Sequence, residues 1–125
     1  MQVQIKISPT TIVTAEADNQ LELFRQLASL TEVFGEDKCK KCGSPYRYQV
    51  RTVTDGKKEY TYPELVCTNR ECRAKLSYGQ SEGGIIYPKR FKQKDGEYVM
   101  NEDGRKVVKG NWGWAIYNKE TGEEE

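Results

Sequence analysis

Cys39, Cys42, Cys67 and Cys72 are all the thiols in this chain, and there is no histidine to share a ligand role with them. The first pair reads Cys39-Lys40-Lys41-Cys42-Gly43. A two-residue gap lets both sulfurs turn toward one ion, and the glycine that follows suits a tight backbone. The second pair, Cys67-Thr68-Asn69-Arg70-Glu71-Cys72, has a wider gap that still lies within the range used by tetrahedral zinc sites. Four cysteines in a secreted mini-protein would suggest two disulfides. Here Met1 runs directly into the alternating Gln2-Val3-Gln4-Ile5-Lys6-Ile7, with no basic-then-apolar leader, so a cytoplasmic protein is expected. Closely spaced thiols in that compartment more often bind a metal. An iron ion or cluster could use the same thiolates, but a pair of pairs favours structural Zn2+. Four protein ligands leave no coordination position for water or substrate, so the expected role of the metal is structural.

Other residue types give little support for catalysis. Without histidine the chain lacks the commonest general base near neutral pH and the usual partner of a nucleophilic serine or cysteine. Glu16, Asp18 and Glu22 cluster at the start of an expected helix, where negative charge complements the helix dipole. Glu36-Asp37, Glu59, Glu64 and Glu71 form no recognisable acidic motif, and Gly83-Gly84 lacks the pattern and lysine of a phosphate-binding loop. The expectation is a protein that is not an enzyme, has no catalytic residue and takes no small-molecule substrate.

Cations interleaved with aromatic rings suggest a different chemistry. Lys89-Arg90-Phe91-Lys92-Gln93-Lys94 places four cations in six positions around one ring. Arg47 and Arg51 project from one face of an expected strand, and Lys38, Lys40 and Lys41 surround the first cysteine turn. Single-stranded nucleic acid is held in this way, cations tracking phosphates while rings stack on bases. Tyr48, Phe91 and Trp112 are the candidate stacking residues; Arg47, Arg51, Lys89, Arg90, Lys92 and Lys94 are the candidate phosphate contacts. The plain structural alternative has tyrosines pairing across the sheet and lysines on a solvated face. A net charge of +1 means that any electrostatic attraction must be local.

The hydrophobic fraction of 36% is low and the charged fraction of 31% is high for a globular chain, so a bound metal would supply stability that a modest core does not. Periodicity predicts a hairpin from strands over residues 2–8 and 11–17. A helix over 19–34 follows, capped by Asp18 or Asn19, with Leu23, Leu27, Leu30 and Phe34 along one stripe and Gly35 ending it. Tyr46, Tyr48 and Val50 alternate with Arg47, Gln49 and Arg51, Asp55-Gly56 turns the chain, and a return strand carries Tyr60 and Tyr62 to the second cysteine pair. Further strands are expected around Leu76 and Tyr78, at Ile85-Ile86-Tyr87 before Pro88, and from Trp112 to Tyr117, where Trp112 and Trp114 would share a face. The expected fold is α+β, mainly β. One domain spans 1–118, with hairpin and helix (2–35) packed on the cysteine-bearing ribbon (36–80) and C-terminal strands (81–118). An acidic tail, 119–125, frays at Glu123-Glu124-Glu125.

The paired turns joined by a hairpin resemble the zinc-ribbon class, widespread in replication, transcription and recombination proteins, over about residues 36–80. A second resemblance runs through Tyr78-Gly79-Gln80, Gly84, Tyr87-Pro88-Lys89-Arg90, Gly96 and Trp112 to Tyr117. It is to small proteins encoded by bacteriophages and prophages near recombination and single-strand-binding genes. The resemblance implies binding to single-stranded DNA in a phage or bacterial DNA-processing system, without strong sequence preference, and carries over no site residue. The rival expectation is a protein-interaction module whose tyrosines anchor a host or phage protein; neither expectation involves a membrane.

Overall fold

A computed structural model of the chain describes residues 1–118 and 123–124, which fall into two compact units, residues 1–37 and residues 38 onward. The fold is mostly β with one helix. No helix among the described residues is long and apolar enough to cross a membrane.

In the first unit, β1 (Gln2–Ser8) and β2 (Thr11–Glu16) pair antiparallel, with an irregularity between Lys6 and Ser8. The helix α1 (Gln20–Phe34) starts where its cap chemistry dictates. Asn19 is extended, and its Oδ1 accepts the Glu22 backbone N–H at 2.9 Å. At the other end the Gly35 N–H closes on the Thr31 carbonyl at 2.8 Å. Leu23, Leu27 and Leu30 form the half-buried stripe of the helix, which packs against β2 and β1, whereas Phe34 is exposed.

The second unit is built on a four-stranded antiparallel sheet ordered β3-β4-β5-β6. The ten-residue strands β3 (Tyr46–Asp55) and β4 (Lys58–Cys67) pair along their whole length, from Tyr46 opposite Cys67 to Asp55 opposite Lys58. Gly56, at φ 65°, supplies the left-handed residue that this two-residue turn requires. β5 (Lys75–Gln80) pairs with β4 only over Glu64–Val66, so the outer halves of β3 and β4 form an exposed two-stranded arm. β6 (Ile86–Pro88) lies on the other edge of β5, where Pro88, lacking an N–H, costs no ladder bond. It runs through Pro88 rather than stopping before it. The segment from Lys89 onward forms a small ladder. β7 (Gln93–Lys94) and β8 (Glu97–Tyr98) are joined by Asp95 and Gly96, both left-handed, and Phe91 bridges Val108.

The expected strand from Trp112 to Tyr117 is replaced by a different structure. Asn111, Trp112 and Gly113 have φ of 59°, 54° and 96°, a left-handed turn that no strand can contain. For Trp112 this conformation costs about 1–2 kcal/mol, whereas the asparagine before it tolerates it. Gly113 is wedged so tightly that a Cβ there would lie 2.9 Å from Leu76 Cδ1 and 2.9 Å from the Lys89 carbonyl oxygen. The turn separates the two indoles: Trp112 is exposed, and Trp114 is fully buried with its ring 6.2 Å from that of Tyr46. Ala115 then makes a single bridge to Lys75. β9 (Tyr117–Asn118) pairs with β10 (Glu123–Glu124), so these two acidic residues form a return strand rather than a frayed end. Residues 119–122 and 125 of the expected tail lie outside the described residues.

The core of this unit is small: Leu65, Val66, Ala74, Leu76, Tyr78 and Trp114, with Cys39 and Cys67 beside them in burial. Trp114 is its largest member, and its indole N–H has no acceptor among the described residues. Trp114→Ala is expected to destabilise the unit by about 3–5 kcal/mol in a denaturant melt. Trp114→Phe keeps most of the apolar area and removes an unpartnered donor, so its cost should be clearly smaller.

Candidate functional site

Two backbone turns present the four sulfurs. In the first, the Gly43 N–H bonds to the Cys39 carbonyl at 2.8 Å and the Cys39 N–H to the Ser44 carbonyl at 3.0 Å, while Gly43 at φ 81° sends the chain into β3. The second turn repeats this shape with Cys72 in the place of Cys42 and its first ligand displaced. Asn69 occupies the position that Cys39 holds in the first turn: its carbonyl accepts the N–H groups of Cys72 at 3.1 Å and Arg73 at 3.0 Å. Arg73, at φ 57°, stands where Gly43 does. The first ligand of this pair is therefore supplied two residues earlier, by Cys67 at the end of β4, which accounts for the four-residue gap. Asn69 is held by its own side chain, which accepts the Glu71 N–H at 3.0 Å and points its Nδ2 toward Cys42 Sγ at 3.9 Å. Thr68 fastens the bases of the two turns together through two bonds to the Pro45 carbonyl, from its N–H at 3.0 Å and its hydroxyl at 2.7 Å.

The result is a cluster in which all four Sγ atoms lie within 4.8 Å of one another, with Cys39 3.8 Å from Cys72 and Cys42 3.4 Å from Cys67. A regular tetrahedron with 2.3 Å metal–sulfur bonds has sulfur–sulfur edges of about 3.8 Å. The donor set therefore fits a metal ion, and all four thiols are free of disulfides. Their electrostatic environments differ. Hydrogen bonds from the Ser44 hydroxyl and backbone N–H lower the Cys42 thiol to about 6, and this cysteine is the exposed one. Burial pushes Cys67 up to about 12 and raises Cys72.

A second feature lies on the sheet face away from Tyr46 and Leu65. Strand register places Arg47, Gln49 and Arg51 opposite Val66, Glu64 and Tyr62. Glu64 has a carboxylate only 2% exposed, and it gathers the groups around it. It accepts a hydrogen bond from Gln49 Nε2 at 2.5 Å and lies 3.4 Å from Lys75 Nζ and 3.9 Å from Arg51 Nε. Two clefts meet at Arg51, Glu64 and Ser77. The larger, about 940 Å³, also takes in Arg73, Lys75 and Tyr117; the smaller, about 260 Å³, takes in Tyr62, Lys89 and Lys109. Among the described residues, five cations line the clefts against one carboxylate, a local excess of positive charge that the net charge conceals.

Of the residues expected to contact nucleic acid, Arg51 and Lys89 come together in the smaller cleft, and Arg47 shares the β3 face of Arg51. Tyr48 is exposed on the opposite face, edge-on to Tyr46 at 5.6 Å. Phe91 is half-buried, in edge contact with Tyr98 at 6.3 Å and with Lys106 Nζ 5.5 Å from its ring. Arg90 and Trp112 pair with each other, the guanidinium 5.0 Å above the ring centroid. Lys92 and Lys94 are exposed on the β7 side and line neither cleft. Sequence reasoning missed Arg73, Lys75 and Lys109. The signal for the first two was available in the alternation of Arg73, Lys75 and Ser77 after the last cysteine; Lys109 reaches the cleft only through the folding-back of the C-terminal ladder. No family model, curated protein or solved structure matches the chain.

The thiol environments set a pH dependence for metal loading. Near neutral pH Cys42 is already a thiolate, whereas Cys67 and Cys72 carry protons that a metal must displace. Affinity should therefore fall as pH falls, by about a hundredfold per unit from these two thiols, and more steeply below about pH 6 where Cys42 also protonates. Competition against a chromophoric chelator from pH 6.5 to 8 checks this; a flat profile would contradict it.

Proposed function

We propose that the chain is a non-catalytic zinc-ribbon protein that binds single-stranded DNA, without strong sequence preference, in a phage or bacterial DNA-processing system. The observation that carries this reading is the pair of basic clefts. Arg51, Arg73, Lys75, Lys89 and Lys109 are set around one buried carboxylate, with Tyr62 and Tyr117 on the walls. Cations spaced along a sheet face follow a phosphate backbone, and rings beside them suit unpaired bases; this chemistry takes any sequence because every base has a π face. Glu64 supports the reading by holding Arg51 and Lys75 in place at the cost of one negative charge.

Zinc is the proposed occupant of the thiol cluster. Four thiolates in a closed tetrahedral arrangement are a soft donor set that suits a redox-inert ion without preferred d-electron geometry, and such a site supplies folding energy rather than chemistry. Cys39, Cys42, Cys67 and Cys72 would hold it, with Asn69 and Ser44 donating to Cys42. The ion would clamp the two ends of the β3–β4 hairpin and so fix the sheet face that carries the clefts.

One observation favours a second reading as a protein-interaction module: the outer hairpin arm exposes Val53, Tyr60 and Tyr62 on one face and Val50 on the other. Exposed apolar and aromatic side chains of this kind are the usual anchors of an interface.

Fluorescence anisotropy with a labelled single-stranded oligonucleotide over a salt series separates the two. Nucleic-acid binding predicts affinity that falls steeply with salt. Replacing Arg73 and Lys89 by Gln should flatten the logarithmic salt slope by about 0.7 for each phosphate left without its cation. No detectable binding at low salt would leave the interaction module as the better reading.

A further inference from the structure

Trp112 is displayed in a way that packing does not explain. The residue is 48% exposed although it is the largest type of apolar side chain in the chain, and its backbone is one of three successive left-handed residues. The segment is pinned from below. Trp114 is fully buried, Gly113 has no room for a side chain, and the Trp114 N–H bonds to the Asn111 carbonyl at 3.1 Å. The surrounding structure thus enforces a conformation that an indole does not choose, and strain of this kind persists where an element is held for use.

The ring is also oriented. Arg90 grips Trp112 at two points, its Nη1 donating to the Trp112 carbonyl at 2.5 Å and its guanidinium lying 5.0 Å above the ring centroid. Lys89, which lines the smaller basic cleft, directly precedes Arg90. A guanidinium on one face polarises the indole and fixes its plane, leaving the other face to a planar partner. An ordinary apolar anchor would need neither a fixed plane nor a cation behind it.

We infer that Trp112, backed by Arg90, is a one-sided stacking platform for a single nucleobase of the strand whose phosphates the clefts hold. This rests on the proposed binding of single-stranded nucleic acid and adds where a base is gripped. Phe91, which sequence reasoning placed in the same role, is excluded from it because Tyr98 and Lys106 already engage its ring.

The test compares a labelled oligodeoxythymidylate with an abasic strand of the same length, which keeps the phosphates and lacks the bases. The wild-type chain should bind the intact strand roughly tenfold more tightly than the abasic one. Trp112→Asn, whose side chain tolerates the left-handed backbone, should lose most of that preference. Trp112→Phe should restore most of the preference, and retained emission from buried Trp114 reports that each variant is folded. Intact strand should quench the exposed indole of the wild type and leave the emission of Trp112→Asn unchanged. Equal affinity of the wild type for both strands, or an unaltered preference in folded Trp112→Asn, would overturn the platform while leaving the phosphate-binding clefts standing. Binding of neither strand at low salt would overturn the nucleic-acid reading itself and the platform with it.

Discussion

Bringing four sulfur atoms within 4.8 Å of one another is the demand around which the second unit is organised. Thiolates at that distance repel, and buried thiols resist ionisation, so the cluster is tolerable as a set of protonated groups or as the shell of a cation. Either way the backbone must hold two turns face to face, and it does so through the β3–β4 pairing that ends at Tyr46 and Cys67 and through Thr68 bonded to Pro45. Cys39 and Cys67 are as buried as the aliphatic core residues. In a unit whose core is one tryptophan, one tyrosine and a few aliphatic side chains, the sulfur cluster stands in for apolar volume that the chain does not have.

Much of this was legible in the sequence because local chemistry decides it. Asn19 followed by Glu22 announces a capped helix, and cysteine spacing with an intervening alternating segment announces two turns joined by a hairpin. These signals act within a few residues of where they are read. What escaped depended on distant partners. Trp112 and Trp114, two apart and flanked by apolar residues, carry the signature of one strand face, but Gly113 is pressed between Leu76 and Lys89, and that contact forces the left-handed turn. The wide second cysteine gap was visible, while its cause, Asn69 standing in the place of a ligand, needs the geometry of the turn. Glu64 likewise looks like an ordinary strand glutamate until β5 brings Lys75 against it.

The thiol cluster and the basic clefts are connected through one hairpin. Cys67 closes β4, and three residues before it Glu64 gathers Arg51 and Lys75; Arg73 follows Cys72 directly. Anything that loosens the sulfur end therefore loosens the register that sets Arg51 opposite Tyr62 and Gln49 opposite Glu64. A metal in the cluster would act on the face that carries the clefts at a distance, by fixing strands. The exposed outer arm pairs with no β5 backbone and is tied to that strand by the hydrogen bond from Gln80 Nε2 to the Thr61 carbonyl at 2.5 Å, so it is less constrained than the sulfur end.

X-ray absorption spectroscopy at the zinc edge, on protein purified without added metal, tests the central claim most directly. The account predicts one zinc per chain with a first shell of four sulfur scatterers at about 2.3 Å and no light-atom ligand. A shell containing oxygen or nitrogen, or folded protein with no bound metal, would contradict it.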